Sequence, residues 1–306
     1  MGESSMRILI TGSGGLLGSK IAELASGASH EVYAAYNQNR PKSGTPIRLD
    51  LRDLAAIERV VRGIGPDAIV HAAAMTDVDK CEQERDLALR INYEATSALA
   101  SAAREMGAFL VYVSTDYVFN GERGFYSEAD EPDPVNFYGY TKLMGERAVE
   151  ELAGAHCIVR ASVIYGAAPA SGKSNFALWL IDKLERGERA SVLVDQYVSP
   201  TLNSSLARMI LEAVERGLEG LYHMAGAERV SRYEFAAKLC AAFGFDPSLL
   251  KPARMADMAW AARRPRDSSL DVSKAAGIFR AKPLKLNEAL IELREGVMRG
   301  CSRGLQ

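Results

Sequence analysis

Along the first half of the chain, short apolar runs alternate with longer stretches whose apolar residues recur every three or four positions. "MRILITG" (6–12), "HEVYAAY" (30–36), "DAIVHAAA" (67–74) and "AFLVYVST" (108–115) are of the first kind and predict buried strands. "GLLGSKIAELAS" (15–26), "DLAAIERVVRGI" (53–64) and the long "ERDLALRINYEATSALASAAREMG" (84–107) are of the second and predict helices. Another helix follows Pro132 and Pro134: Tyr138 to Leu152 contains no proline and sets Leu143, Ala148 and Leu152 at helical intervals. Strands return at "HCIVRASVIYG" (156–166) and "GLYHMAG" (220–226). Such alternation predicts an α/β fold, a doubly wound parallel-sheet Rossmann domain with helices on both faces.

After Gly166 the pattern loosens. Helical stretches in "SRYEFAAKLCAAFG" and "LKLNEALIELREG" are joined by the irregular, proline-bearing "KPARMADMAWAARRPRDSSLD". The expected organisation is a dinucleotide-binding domain over 1–166, completed by strands within about 190–226. A smaller, mostly helical lobe from 167–190 and 227–306 would cover the sheet's carboxyl edge. No internal repeat or low-complexity segment interrupts this plan.

Composition narrows the function classes. The 306 residues are 48% hydrophobic and 25% charged, an ordinary globular balance with ample core. A net charge of -2 leaves no electrostatic footprint for nucleic acid or an anionic membrane. Cys81, Cys157, Cys240 and Cys301 lie far apart and form no C-x-x-C pair, which argues against zinc or a disulfide framework and for a reducing compartment. No compact metal-ligand cluster is visible. No run approaches the ~18 apolar residues of a membrane span, and "MGESSMRILIT" has no signal-peptide core. Met6 reads as the natural start, with "MGESS" a short leader, and the expected location is the cytoplasm.

"ITGSGGLLGSK" places Gly12, Gly15 and Gly18 between a strand and a helix, with Gly14 beside them and Leu16 and Leu17 opening the helix. Glycines there let the turn tighten and the backbone approach a pyrophosphate held at the helix N-terminus. The second strand ends in "AAYNQNRPK", where no carboxylate follows Asn37 to grip a ribose 2′-hydroxyl, and Arg40 and Lys42 suit a 2′-phosphate. NADP(H) is therefore favoured, with NAD(H) the alternative. Asp50 and Leu51 in "RLDLRD" are placed to hold an adenine. Ala72, Ala73 and Ala74 end a strand with small side chains, suited either to close approach of a ligand or to tight helix–sheet contact. His71, inside the same apolar strand, reads as a core histidine.

Chemistry enters with "YGYTK". On a helix Tyr138 stands over Lys142, four residues on, while Tyr140 points elsewhere. An ammonium beside a phenol lowers its pKa from about 10 toward the range of proton exchange. "LVYVSTDYVFNG" ends its strand on Ser114, Thr115 and Asp116, where a hydroxyl suits a substrate carbonyl, though such a cluster also caps turns.

These motifs together resemble the extended short-chain dehydrogenases/reductases, and in particular the dTDP-4-dehydrorhamnose reductases. The likeness runs through "ITGSGGLLG", "HAAAMTDVDKCE", "INYEAT", "VSTDYVFNG", "NFYGYTKLMGE", "VRASVIYG", "VDQYVSPT", "GLYHMAGAERVSRYEFA" and "RPRDSSLDVSK". It implies reduction of the C4 ketone of a nucleotide-linked deoxysugar, with Tyr138 as proton donor. It also implies that Lys142 binds the nicotinamide ribose and that Thr115, or Ser114, orients the carbonyl. Asp116, Asn175, Gln196 and Thr201 would lie near the sugar or nucleotide. Arg263, Arg264 and Arg266 offer guanidinium groups for the diphosphate, or form a solvated basic loop. Where the family often carries a tryptophan facing the sugar, this chain has Val163. Family members often pair as dimers.

Two other readings share the fold. One is a non-catalytic NADP-binding protein of the methionine adenosyltransferase regulatory-subunit type. The other is a nucleotide-sugar epimerase; Asp116-Tyr117 in place of Asp-Glu speaks against a dehydratase.

Overall fold

In the computed structural model, residues 5–168 and 174–303 are described. Residues 1–4, in the stretch expected to be a leader, and residues 169–173 of the expected smaller lobe lie outside them. The Rossmann half runs β1 (Arg7–Thr11), α1 (Leu16–Gly27), β2 (Glu31–Tyr36), β3 (Thr45–Arg48), α2 (Leu54–Ile64) and β4 (Ala68–His71). It continues with α3 (Val78–Gln83), α4 (Arg85–Leu89), α5 (Ala95–Met106), β5 (Phe109–Thr115), α6 (Phe137–Leu152), β6 (His156–Ala161) and β7 (Ile164–Tyr165). Then follow α7 (Phe176–Glu185), β8 (Ala190–Leu193), β9 (Tyr197–Val198), β10 (Thr201–Leu202), α8 (Asn203–Arg216), β11 (Gly220–His223) and β12 (Val230–Ser231). The chain closes with α9 (Arg232–Phe243), β13 (Leu250–Ala253), α10 (Ser273–Ile278) and α11 (Leu286–Arg303).

Seven strands form one parallel sheet in the order β11-β6-β5-β4-β1-β2-β3, so chain order reverses between β1 and β4. Alternate residues of β1 explain the two layers: Ile8 and Ile10 enter the core shared with α1 and α8, and Leu9 the core shared with α2 and α5. Helix starts are written locally. Asp53 accepts from the Ala56 amide at 2.9 Å ahead of α2, and Asn136 from the Gly139 amide at 2.8 Å ahead of α6.

Three expectations need correction. The helix over 84–107 is broken by a π-helical turn at Arg90–Glu94, between α4 and α5. Buried Asn92 in that turn accepts from the Met75 amide at 2.8 Å and donates to the Met75 carbonyl and to Thr141 Oγ1. Tertiary hydrogen bonds thus accompany a widened turn that hydrophobic period does not mark. The strand over 156–166 breaks at Val163, whose φ of +32° ends β6 and sends β7 to pair with β10. Of the strands expected within 190–226 to complete the sheet, only β11 joins it. β8, β9 and β10 pair instead with β13, β12 and β7. These short ladders stand beside a separate apolar cluster of α7, α9 and α11 that includes Leu180, Phe235, Leu239, Leu290 and Leu293.

The sheet meets α6 at close quarters. A Cβ at Gly145 would collide with the Tyr112 hydroxyl and stand 2.9 Å from the Asn92 carbonyl oxygen. Gly145→Ala is expected to cost about 1–3 kcal/mol by overpacking. Urea unfolding measures it, and a midpoint equal to that of the parent chain would contradict the close docking of α6.

Candidate functional site

The β1–β4 reversal is where doubly wound sheets bind ligands, at the carboxyl ends of the strands. There a cleft of about 460 Å³ is lined by Gly12, Asn37, Asp50, Leu51, Ala73 and Ala74, together with Tyr36, Gln38, Met75 and Thr76. Six of the residues expected to touch the dinucleotide are thus brought together. Gly12 has a φ of +72°, and a Cβ on it would meet the Ala73 backbone at 2.8 Å. A Cβ on Gly18 would collide with the Gly12 carbonyl. Only glycine fits this turn. Gly15 closes it, its amide donating to the Gly12 carbonyl at 2.8 Å.

The other expected cofactor residues stand differently. Leu17 is a core side chain packed with Ile21 and Ala22. The Leu16 carbonyl accepts from Asn203 Nδ2 at 3.0 Å, and half-buried Ala72 packs against the same core. Arg40 is exposed beyond the cleft lining. Asp50 is gripped by Arg52 through both oxygens, which holds its carboxyl below the ordinary value. His71 is a core histidine, bonded to Thr11 Oγ1 at 2.7 Å and Thr96 Oγ1 at 3.1 Å. Burial, aided by the nearby Lys142 charge, pushes its pKa down to about 3, so the ring stays neutral.

The strand end of β5 and the first turns of α6 bring the polar groups together. Gly139 makes this possible, since a Cβ there would collide with the Tyr117 carbonyl. Half-buried Tyr138 lies edge-on to Tyr117, ring centroids 6.0 Å apart, and packs beside Met75 and Cys81. Burial raises its phenol above the ordinary value, and the nearby Thr115 hydroxyl draws it back. Tyr140 is exposed and lies tilted against Phe137, ring centroids 5.6 Å apart.

Lys142, one helical turn on from Tyr138, is buried. Its Nζ donates to the Val113 carbonyl at 2.8 Å and sits 4.1 Å over the Tyr112 ring. Burial presses its pKa down to about 7, against the pull of the Glu146 carboxylate one turn on. Ser114 is no alternative hydroxyl. It donates to Glu146 Oε1 at 2.5 Å, and Glu146 is in turn forked by buried Arg160 at 2.7 and 3.0 Å.

The residues expected around the substrate divide. Asp116 is only 2% exposed and accepts from Ser162 at 2.8 Å, Ser268 at 2.5 Å and Thr115 at 3.2 Å, so it braces the fold rather than facing a ligand. Burial raises its pKa and the three hydroxyls work against that. Asn175 caps α7, accepting from the Leu178 amide and donating to the Gly166 carbonyl. Thr201 donates to the Ser162 carbonyl. Arg264 is bound to Asp79 at 2.8 Å, Arg266 is exposed, and the exposed Arg263 gives its carbonyl to Asn136. Val163 is half-buried and holds a left-handed conformation that is a genuine outlier for a β-branched residue. Buried Gln196 accepts from Arg232 at 3.1 Å. Neither Arg232 nor Asn92 was among the expected site residues: one is the first residue of α9, the other sits in an unmarked helical turn.

A dinucleotide-type cleft at the strand-order reversal, with Met75 of its lining packed beside Tyr138, fits an oxidoreductase of the extended short-chain dehydrogenase/reductase class. Within that class the chain belongs to the family described as RmlD substrate binding domain, which matches residues 6–297. It is similar to dTDP-4-dehydrorhamnose reductase from Bacillus anthracis, solved in complex with NADP, with 33% identity, TM-score 0.85 and coverage of 95% of this chain and 99% of that one. It is 34% identical over 275 residues to the probable low-salt glycan biosynthesis reductase Agl14 of Haloferax volcanii, covering 89% of this chain and 92% of the relative. It is also 34% identical over 291 residues to methionine adenosyltransferase 2 subunit beta of Xenopus laevis, covering 92% and 86%. Among the described residues no helix is long and apolar enough to cross a membrane, and no group of three metal-ligating side chains gathers.

The buried lysine sets a pH dependence. Its pKa falls from 10.5 in the unfolded chain to about 7 in the folded one, so between these values the unfolded state binds the extra proton. Its contribution to stability therefore grows as pH rises above 7 and is lost as pH falls through 7. Unfolding free energies of the parent chain and Lys142→Met, compared from pH 6 to 9, should diverge in favour of the parent at high pH. Parallel curves would contradict a depressed Lys142.

Proposed function

We propose that the protein reduces the C4 ketone of a nucleotide-linked deoxysugar in the cytoplasm, with dTDP-4-dehydrorhamnose, giving dTDP-rhamnose, as the preferred reading. The observation that carries it is that Thr115 ends β5 while Tyr138 and Lys142 stand one turn apart on α6, with Tyr138 packed beside Met75 of the β1–β4 cleft. NADPH, when bound, would supply the hydride. Gly12, Gly15 and Gly18 leave the backbone room for its pyrophosphate, and Asn37, Asp50 and Leu51 line the adenosine end. Arg40, without a carboxylate partner among the described residues, suits a 2′-phosphate better than a 2′-hydroxyl.

The protein's own groups do the proton chemistry. Thr115 Oγ1 orients the ketone oxygen, and Tyr138 Oη gives that oxygen its proton as the carbon is reduced. Lys142 is poised to leave the Val113 carbonyl for the cofactor ribose and the phenol, where its charge would stabilise the phenolate. The raised phenol pKa keeps the proton on Tyr138 until then. Val163 gives a pocket wall without a flat stacking surface, so the sugar is held differently from one facing a tryptophan.

The regulatory reading keeps one specific support, the similarity to methionine adenosyltransferase 2 subunit beta. Binding a partner enzyme needs no buried lysine beside a tyrosine, and the intact set favours catalysis.

NADPH oxidation with dTDP-4-keto-6-deoxy-L-lyxo-hexose tests the proposal. Tyr138→Phe should lose about 10²–10⁴-fold in kcat, the usual worth of a positioned acid. No turnover with NADPH still bound would instead support the regulatory reading. Arg40→Ala should raise KM for NADPH by about tenfold or more and leave KM for NADH nearly unchanged, as removal of a phosphate contact does. Equal changes for both cofactors would remove Arg40 from the 2′-phosphate site.

A further inference from the structure

Arg232 opens α9, and its surroundings do not satisfy it. Nε donates to Gln196 Oε1 at 3.1 Å and the backbone amide to the Gln196 carbonyl at 3.1 Å. The guanidinium lies over Phe176, 5.1 Å from the ring centroid. Its two Nη groups have no partner among the described residues, and no carboxylate comes within ion-pair distance. Its neighbours in the same lobe differ: Arg229 is paired with Asp267 at 2.6 Å and Arg264 with Asp79 at 2.8 Å. The guanidinium is half-buried and its Nη atoms are not among the wholly buried unpartnered ones, so the fork is held in place yet open to a ligand.

Arg232 is tied to the reacting end of the site through Gln196, three residues from Ser199, whose amide donates to Ser162 Oγ at 3.2 Å while Ser162 donates to Asp116 at 2.8 Å. Tyr117, next to Asp116 in the chain, lies edge-on to Tyr138 at 6.0 Å. Asp116 is already held by Ser162, Ser268 and Thr115. The glycine turn, where a cofactor pyrophosphate would rest, belongs to β1 and α1 and takes no part in this group. A planar pair of N–H donors matches two oxygens of one anionic group better than any neutral one.

We propose that Arg232 is a specificity-determining residue that receives, through its two Nη groups, a pair of phosphate or carboxylate oxygens of the substrate. Gln196 and Phe176 preorganise it, one fixing Nε and the other the guanidinium plane. The inference rests on the reading of the chain as a nucleotide-sugar reductase. Two parts of such a substrate carry the required chemistry, the diphosphate and a carboxylate on the sugar.

Calorimetric titration of the NADP⁺-loaded protein separates them. Three ligands serve as probes: dTDP, dTDP-glucose and dTDP-glucuronate. In Arg232→Gln, about a tenfold or greater loss of affinity for all three assigns the fork to the diphosphate. A loss confined to dTDP-glucuronate assigns it to a carboxylate on the sugar. Affinities within twofold of the parent for all three ligands would overturn the proposal, as would a parent chain that binds none of them. Retained NADP⁺ binding checks the fold. Should that variant not fold, Arg232→Lys keeps the charge, loses the fork and should still weaken binding about threefold. None of these titrations needs turnover, so a failed reductase assay would count against the reductase reading and leave this result standing on its own.

Discussion

Everything at the site depends on how closely α6 lies against the end of β5. Two missing side chains permit it, at Gly139 beside the Tyr117 carbonyl and at Gly145 beside the Tyr112 hydroxyl. With the backbones that near, Lys142 reaches the Val113 carbonyl and Tyr138 comes within reach of Thr115. The cost is a lysine almost wholly out of water, held by one carbonyl and a ring face. Glu146, one turn on, tempers that cost, and is itself fixed by Arg160 and Ser114. Glutamate and arginine are paired there, and the lysine feels the carboxylate's charge without an ion pair to it.

A second network joins the sheet to the rest of the molecule. Asp116 follows directly on Thr115, and its carboxylate gathers Ser162 from beyond β6 and Ser268 from the segment before α10. The same region is drawn in by Asp267, which pairs with Arg229 and caps Ser269. A buried carboxylate satisfied by hydroxyls is rigid because each lost bond would leave a desolvated charge. Thr115, next to Asp116 in the chain, and Val163, next to Ser162, are thereby tied to one another through that carboxylate.

The alternation of apolar runs and amphipathic stretches made the parallel sheet legible, because strands buried on both faces read as continuous apolar runs. The glycine turn and the Tyr138–Lys142 spacing were legible for a similar reason: each is dictated by local geometry. What period and spacing left unread is tertiary. Asn92 sits in a π turn bonded to Met75, 17 residues away. Ser114 and Thr115 are adjacent and alike in chemistry, and only packing decides that one serves Glu146 and the other faces Tyr138. The same holds for the arginines: Asp79 claims Arg264, while Arg232, hidden in an ordinary helical pattern, is left open. The short ladders of β8, β9 and β10 join strands too brief for any pattern to announce.

The central claim is that this constellation performs hydride-coupled reduction and does not merely bind a dinucleotide. The most direct measurement follows deuterium from NADPH labelled at nicotinamide C4 into the nucleotide sugar, read by mass spectrometry and proton resonance. One deuterium at sugar C4, delivered from a single face of the nicotinamide, is the expected result. Bound NADPH whose label never leaves the nicotinamide, with the 4-keto sugar recovered unchanged, would contradict it.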